Sequence, residues 1–156
     1  MIEEVHVQAL GRAQQEGGPG GEGHAEDSTR AVLESVFSAV AESGFGEEFR
    51  SALADELVFT VTGSSPLAGR YVGKAEYVEK VLTPLHERLA TPLRPRIEQV
   101  LVDGRRGVVL FRTEGARGHN GADFSMRYCW VVHVVDDSIV EITGFYDTKR
   151  MCDLFA

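Results

Sequence analysis

The sequence has little of what marks a disulfide-stabilised or metal-binding chain. Its 156 residues include two cysteines, Cys129 and Cys152, which form no Cys-x-x-Cys pair. The histidines His24, His86 and His119 show no metal-ligand spacing with cysteine, aspartate or glutamate. We therefore expect two buried free thiols and no bound metal.

The sequence also lacks long hydrophobic runs and an excess of positive charge. No apolar run approaches the roughly 20 residues that span a bilayer, and the N-terminus shows no basic segment followed by an apolar one. The net charge of −8, from 24 acidic and 16 basic residues, repels nucleic acid and anionic membranes on average. These features predict a cytoplasmic protein that binds neither nucleic acid nor membrane.

What the sequence does contain is the composition of one globular domain. Hydrophobic residues make up 43% and charged residues 26%, which is enough apolar side chain for a single core. The stretch QQEGGPGGEGHAED, at 14–27, is rich in glycine and has almost no side chain to bury. We expect a flexible N-terminal tail over 1–26 and a single domain over 27–156.

Hydrophobic periodicity divides that domain into helices first and strands afterwards. Helical spacing and capping residues predict helices that cover 27–43, 47–54, 74–89 (bent at Pro84) and, at the C-terminus, 147–155. Alternating patterns predict strands at 57–62, 97–103, 107–115, 123–135 and 139–146. Four consecutive strands after the helices favour an α+β domain with an antiparallel meander.

Three phrases carry a family resemblance: ADELVFTVTGSSPLAGRYVGKAEYV, RYCWVVHVVDDSIVEI and FYDT. With the element order, they make the chain from about Asp27 to Ala156 resemble the SnoaL-like, or ketosteroid-isomerase-like, branch of the nuclear transport factor two superfamily. The resemblance implies a cystatin-like α+β barrel, in which a cone-shaped, curved antiparallel sheet wraps around helices and leaves an apolar pocket. It also implies acid and base chemistry on a small hydrophobic substrate with no cofactor.

The resemblance sets the register of the strands, and with it the side chains that face the pocket. The expected substrate-binding residues are Phe59, Val61, Leu110, Met126, Trp130 and Tyr146. Val61 lies where ketosteroid isomerase has its carboxylate base, and Gly144 lies where limonene epoxide hydrolase has its second acid. Neither residue can do that chemistry.

The same register makes Arg112, Glu114, Tyr128 and Asp123 the candidate catalytic residues. Arg112-Thr113-Glu114 resembles the Arg-x-Asp of limonene epoxide hydrolase, in which a guanidinium holds a carboxylate that activates water. Glu114 is then the general base and Arg112 its partner. Tyr128 or Asp123 is the acid that protonates the departing oxygen.

Three functions stay open at this point. The leading hypothesis is epoxide opening, by hydrolysis or ether-ring closure, in polyketide or terpenoid secondary metabolism such as antibiotic biosynthesis. The second is polyketide ring cyclisation or isomerisation, and the third is a binding module without catalysis.

The outer face of the sheet predicts self-association. Along one strand it alternates Cys129, Val131 and Val135 with Arg127 and His133. This face is more apolar than a solvated strand face usually is. We therefore expect a homodimer that pairs through this surface.

Overall fold

The computed structural model describes residues 19–156, apart from the side chains of residues 19, 20 and 22. The α-helices are α1 (Pro19–Ser43), α2 (Glu47–Ser51), α3 (Lys74–Tyr77), α4 (Thr83–Arg88) and α5 (Thr148–Leu154), with a π-helical turn over Val78–Leu82. The strands are β1 (Leu53–Val61), β2 (Gly69–Val72), β3 (Arg96–Asp103), β4 (Arg106–Arg112), β5 (Arg127–Val135) and β6 (Ser138–Phe145). Within this range no helix is both long enough and apolar enough to cross a membrane.

The six strands form one curved, unclosed sheet in the order β2-β1-β6-β5-β4-β3. Strands β3 to β6 make the predicted antiparallel meander, whereas β1 runs parallel to β6 and antiparallel to β2. The helices pack on the inner face, with α1 against β3 and β4 and α3 against β1 and β2. The predicted α+β class, a curved sheet wrapped around helices, is confirmed, although its sheet is mixed.

Helix α1 begins at Pro19, not at Asp27 as the sequence predicted. Contacts with the turn between β3 and β4 explain the longer helix. The carboxylate of Glu26 accepts a hydrogen bond from the Gly104 N–H at 3.3 Å, and Thr29 Oγ1 lies 2.8 Å from the carbonyl oxygens of both Ala25 and Gly104. Residues 19–26 of the predicted tail are thus helical, and the rest of that tail lies outside the described residues.

The helical segment over the sheet is distorted just before Pro84, where the sequence predicted a bend. A proline inside a helix lacks an N–H, and its ring crowds the carbonyl four residues earlier. Here the π-helical turn at Val78–Leu82 precedes it, and the Thr83 N–H bonds to the carbonyl of Val78, five residues back. The wider turn keeps the segment helical from Lys74 to Arg88.

Strand β2 was not predicted, because its four residues GRYV come after the turn-rich sequence GSSPLAG and are too short to show alternation. It pairs with β1 from Val58↔Val72 to Val61↔Gly69. This pairing covers the outer edge of β1 and leaves β2 as one edge of the sheet.

Aromatic side chains fill the space between α1 and the sheet. The ring centroid of Phe37 on α1 lies 5.5 Å from that of Phe111 on β4 and 5.9 Å from that of Trp130 on β5. All three side chains are at most 3% exposed. Burial of this apolar area holds the helix on the sheet.

Replacing Phe37 with alanine should lower the free energy of unfolding by about 3–5 kcal/mol, because a buried ring is lost and a cavity remains. Urea unfolding measures the change. Ser38→Ala, at the next position but exposed, is the control and should change stability by less than about 0.5 kcal/mol. Equal stability of the two variants would contradict this account of the core.

Candidate ligand pocket

A small cavity lies between the inner face of the sheet and the helical segment 74–88. Apolar side chains form most of its wall, including those of Phe45, Val61, Leu67, Val81, Leu82 and Met151. Three tyrosines and the tryptophan supply the polar groups: Tyr77, Tyr128, Tyr146 and Trp130. No carboxylate, amine or imidazole side chain among the described residues lines it.

The cavity is narrow in this structure. Its volume is about 30 Å³, counted over the positions that the centre of a water molecule could take. One water needs roughly 10–15 Å³ on that measure. The space therefore holds one to three waters and no organic ligand.

Tyr146 closes the cavity by folding back over Gly144, two residues earlier on the same face. A Cβ atom at Gly144 would lie 2.6 Å from the Tyr146 hydroxyl oxygen and 2.8 Å from both Cε2 and Cζ of its ring. Gly144 pairs with Val61 on one side and with Trp130 on the other. The phenol thus fills the place from which a side chain at position 144 would project.

Tyr128 has its hydroxyl proton engaged within the sheet. Its oxygen lies 3.3 Å from Thr113 Oγ1, and Thr113 itself donates to the carbonyl of Phe124 at 3.2 Å. Since Thr113 spends its one proton on Phe124, Tyr128 is the donor in the contact between the two hydroxyls. Tyr128 therefore serves better as a wall of the cavity than as the proton donor that the sequence suggested.

The remaining polar groups of the cavity can donate hydrogen bonds, and one of them has no partner. The indole N–H of Trp130 is buried and makes no hydrogen bond to any residue that the structure describes. The ring of Tyr77 stacks on Phe59, with centroids 4.1 Å apart, and burial alone raises the pKa of its hydroxyl. An indole N–H can only donate, and a neutral phenol donates readily. The cavity is therefore equipped to bind an oxygen acceptor.

Burial keeps the three phenols of the cavity neutral. It is the largest cause of the raised pKa of Tyr77, Tyr128 and Tyr146. The neighbouring phenols raise the pKa of Tyr146 further. The N–H of Trp130, which meets no hydrogen-bond criterion in the structure, is the smallest of these causes and lowers the pKa of Tyr146. At neutral pH all three phenols carry their protons.

The predicted catalytic pair does not reach this cavity. Val109, Phe111 and Thr113 are buried on the inner face of β4, so Leu110 and Arg112 point outward, followed by Glu114 beyond the strand. The predicted register of this strand is wrong by one residue, and a one-residue shift moves every side chain to the other face.

Arg112 and Glu114 instead form part of a surface ion-pair network. Arg112 Nη2 lies 3.2 Å from Glu114 Oε1, and the Glu114 side chain is 68% exposed. Glu98, at an irregularity in β3, lies 2.7 Å from Arg127 and 3.9 Å from Arg112. Exposed pairs of this kind contribute little to stability, and none of these carboxylates touches the cavity.

Asp123, the second candidate acid, lies at the rim and outside the cavity. Its carboxylate accepts a hydrogen bond from the Ser125 N–H at 2.9 Å and pairs with Arg150 at 2.8 Å. The bonds from Ser125, with Arg150 beside them, lower the pKa of Asp123 to about 2. A carboxylate held ionised in this way cannot donate a proton at neutral pH.

The other strands place their candidate pocket residues on the inner face. Phe59, Val61, Met126, Tyr128 and Trp130 are buried on the inner face, and Tyr146 lines the cavity. Phe59 and Met126 face inward but lie outside the cavity wall itself. Cys129 and His133 face outward, and both Cys129 and Cys152 are half-buried free thiols. Asp147 caps α5 through the Arg150 N–H, as expected.

Tyr77 is the site residue that sequence reasoning missed. In the sequence it lies on the apolar stripe of the helix at 74–89, where an aromatic residue is most simply core. The available signal was its hydroxyl, because a buried tyrosine usually has a hydrogen-bond partner, and nothing in that stripe offers one.

A curved sheet over helices with one apolar cavity is the architecture of the nuclear transport factor two class. Residues 33–142 match the model of the SnoaL-like domain. The chain belongs to this family, as its sequence motifs indicated.

Solved structures show the same fold at low sequence identity. An NTF2-like protein from Burkholderia thailandensis E264 is 19% identical, with 82% of this chain and 97% of that chain covered and a TM-score of 0.70. TerC, co-crystallized with polyporic acid, is 15% identical, with 81% and 97% covered and a TM-score of 0.66.

A protein from Kribbella flavida DSM 17836, proposed to be a ketosteroid isomerase, is 20% identical, with 78% and 79% covered and a TM-score of 0.55. No curated protein matches the sequence. The chain thus has a small-molecule isomerase- or cyclase-type fold.

The buried phenols should make the protein sensitive to alkaline pH. Above about pH 10 the unfolded chain loses phenol protons that the folded protein retains, so the free energy of unfolding falls as pH rises. Tyr77→Phe should make this fall less steep in urea unfolding series between pH 9 and 12. Tyr71→Phe, on the less buried fourth tyrosine, should have a smaller effect. An unchanged slope in Tyr77→Phe would contradict the assignment.

Proposed function

We propose that this chain binds a small, mostly apolar molecule through one carbonyl or hydroxyl oxygen. The observation that carries the proposal is the pair of donors in the cavity: the Trp130 N–H and the hydroxyl of Tyr77 face an apolar space that offers them no charged partner. An oxygen acceptor on the ligand would satisfy these donors, and the apolar walls would bury the rest of the molecule. That TerC holds polyporic acid in the same fold supports a ligand of this kind.

A second candidate function is catalysis of enolisation, the step that isomerases and ring cyclases share. Neutral donors aimed at a carbonyl oxygen stabilise the negative charge that develops when an adjacent carbon loses a proton. Val61 stands at the position of the base in ketosteroid isomerase, so the proton would have to leave to solvent water. The isomerase- or cyclase-type fold favours this candidate.

Epoxide opening in polyketide or terpenoid metabolism has less support. It needs a group to activate the attacking water, and Glu114 lies on the far side of the sheet. Without a carboxylate among the described wall residues, this cavity can hydrogen-bond an epoxide oxygen but cannot activate a nucleophile. We therefore do not retain the Arg112 and Glu114 mechanism.

Binding can be measured with 2-tetralone, a flat bicyclic ketone, and with tetralin, its analogue without oxygen. Trp130 is the one tryptophan of the chain, so its fluorescence reports directly on the cavity. We expect 2-tetralone to bind about 3- to 30-fold more tightly than tetralin, which is the contribution of one or two hydrogen bonds.

Tyrosine variants test which donors are used. Tyr77→Phe should weaken 2-tetralone binding by about 3- to 10-fold and leave tetralin binding unchanged. Tyr71→Phe is the matched control, because the Tyr71 hydroxyl donates to the Leu67 carbonyl and does not line the cavity. Equal affinity for the two compounds, or no binding of either, would overturn the proposal.

The same ligand separates binding from catalysis. In deuterium oxide, an enolising enzyme exchanges the hydrogens next to the carbonyl of 2-tetralone, and proton NMR follows their loss. Exchange that is faster than the buffer rate and slowed in Tyr77→Phe would establish the second candidate. Exchange at the buffer rate, together with intact binding of 2-tetralone, would mean that the protein binds the ketone without catalysing enolisation.

We also propose that the outer face of the sheet joins two copies of the chain. Val72, Leu101 and Phe145, the most exposed large hydrophobic residues in the described range, all lie on this face and are 47–56% exposed. Val131 lies at its centre on β5, between neighbours on β4 and β6. Monomeric proteins rarely expose apolar area that is continuous over several strands.

Sedimentation at micromolar concentration should show a dimer, and Val131→Asp should shift it to a monomer. Ala31→Asp, which adds the same charge at an exposed position of α1, should leave the dimer intact. A wild-type monomer would refute this assembly.

A further inference from the structure

The cavity must open before it can hold a molecule as large as a ring. We propose that Tyr146 is its gate and its size determinant: the phenol closes the cavity over Gly144 and turns outward when a ligand enters, and a flat ring of the ligand takes the place of the phenol. This inference rests on the proposed binding function and specifies its ligand as a phenol or a cyclic ketone or enone.

Tyr146 is the wall residue that is free to move. Most of the other wall residues are at most 8% exposed and belong to regular elements or the core, whereas Tyr146 and Leu85 are partly exposed. Moving Leu85 requires a shift of α4, but Tyr146 lies one residue beyond the end of β6 and needs only a side-chain rotation. Tyr128 borders it, but its hydroxyl is tied to Thr113.

The space for an outward turn is present. Tyr146 and Tyr128 line both the inner cavity and a separate groove of about 600 Å³ on the outer side, which Phe145 and Asp147 also border. The Tyr146 ring therefore stands as a partition between a closed space and an open one. Rotating it into the groove joins the two.

Gly144 determines where the phenol rests. Its backbone lies outside the left-handed region, so alanine is compatible with the main chain there. The nearest atoms to an added Cβ all belong to the far end of the Tyr146 side chain, at 2.6–2.8 Å, which is too close for any real contact. A methyl group at position 144 therefore competes with the closed position of the phenol.

The vacated space defines the ligand. It is as wide as one six-membered ring, lies between Val61 and Trp130, and has the Trp130 N–H beside the former position of the phenol oxygen. A ring with one oxygen substituent reproduces the shape of the phenol and can place an acceptor for the Trp130 N–H, which has no partner in the closed form. Chains without an oxygen, and ligands branched at the ring, fit this space poorly.

The gate can be tested first without a ligand, by acrylamide quenching of Trp130 fluorescence. Gly144→Ala and Tyr146→Ala should each raise the quenching constant several-fold, because the partition is displaced or removed. Gly46→Ala is the matched control, since an added methyl there meets no atom within 4 Å and the backbone φ is −97°. Quenching at the wild-type level in both Gly144→Ala and Tyr146→Ala would overturn the gate.

A double variant shows whether Gly144 acts through Tyr146. If the methyl group at position 144 acts only by displacing the phenol, Gly144→Ala should have no further effect on quenching or melting temperature in a Tyr146→Ala background. If Gly144→Ala changes quenching and melting temperature equally with and without the Tyr146 side chain, alanine disturbs the strand itself and the proposal fails.

Stopped-flow mixing with 2-tetralone then links the gate to binding. If the open form is populated at about 1–10%, removing the phenol should raise the apparent affinity about 10- to 100-fold in Tyr146→Ala. An affinity within twofold of wild type in that variant would refute gating. If quenching shows an open cavity in Gly144→Ala and Tyr146→Ala, and 2-tetralone binds neither these variants nor the wild type, the gate stands and the proposed ligand function fails.

Discussion

The indole ring of Trp130 is the contact on which the whole arrangement depends. It lies on the central part of β5, and its centroid is 5.2–6.5 Å from six other aromatic rings, which come from every layer of the fold: Phe37, Phe45, Phe49, Phe59, Phe111 and Tyr146. One side chain thus joins α1, α2, three strands and the segment after β6. The same ring forms part of the cavity wall, so the core and the candidate site share their central residue.

This sharing explains which parts of the structure could be predicted from the sequence. Strand β5 was assigned correctly because its two faces differ: Tyr128, Trp130 and Val132 alternate with Arg127 and His133. Only one register buries the aromatic residues. The same alternation predicts the neighbouring strands and the order of elements. It also predicts the pocket wall on β1 and β5.

Strand β4 shows why the catalytic residues could not be placed in the same way. In GVVLFRT both faces carry large apolar residues, Val109 and Phe111 on one and Val108 and Leu110 on the other, so alternation does not select a register. The predicted register therefore rested on the resemblance of Arg112-Thr113-Glu114 to Arg-x-Asp, which places Arg112 and Glu114 in the pocket. The actual inward residue at that end is Thr113, which is 4% exposed and whose hydroxyl bonds to Phe124 and Tyr128. A threonine hydroxyl can hydrogen-bond to backbone groups as easily as to a ligand, and the sequence does not show which of these partners it has.

The hydrogen-bond donors of the cavity determine which ligands it can bind, even though no carboxylate lines the described part of its wall. A buried donor without a partner costs the folded protein roughly 1–3 kcal/mol, and the Trp130 N–H is such a group. A ligand oxygen that accepts from it recovers this free energy on binding, whereas a purely apolar ligand of the same shape does not. The donors therefore select for an oxygen at one position, while the aromatic walls select for flatness. Because the phenols stay neutral, they provide hydrogen bonds to a carbonyl or an enolate without competing for its proton. A pocket of this composition binds and polarises its ligand. If it also accelerates proton transfer over the rate in water, the acceleration must come from how strongly these neutral groups stabilise the charge that develops on the ligand oxygen.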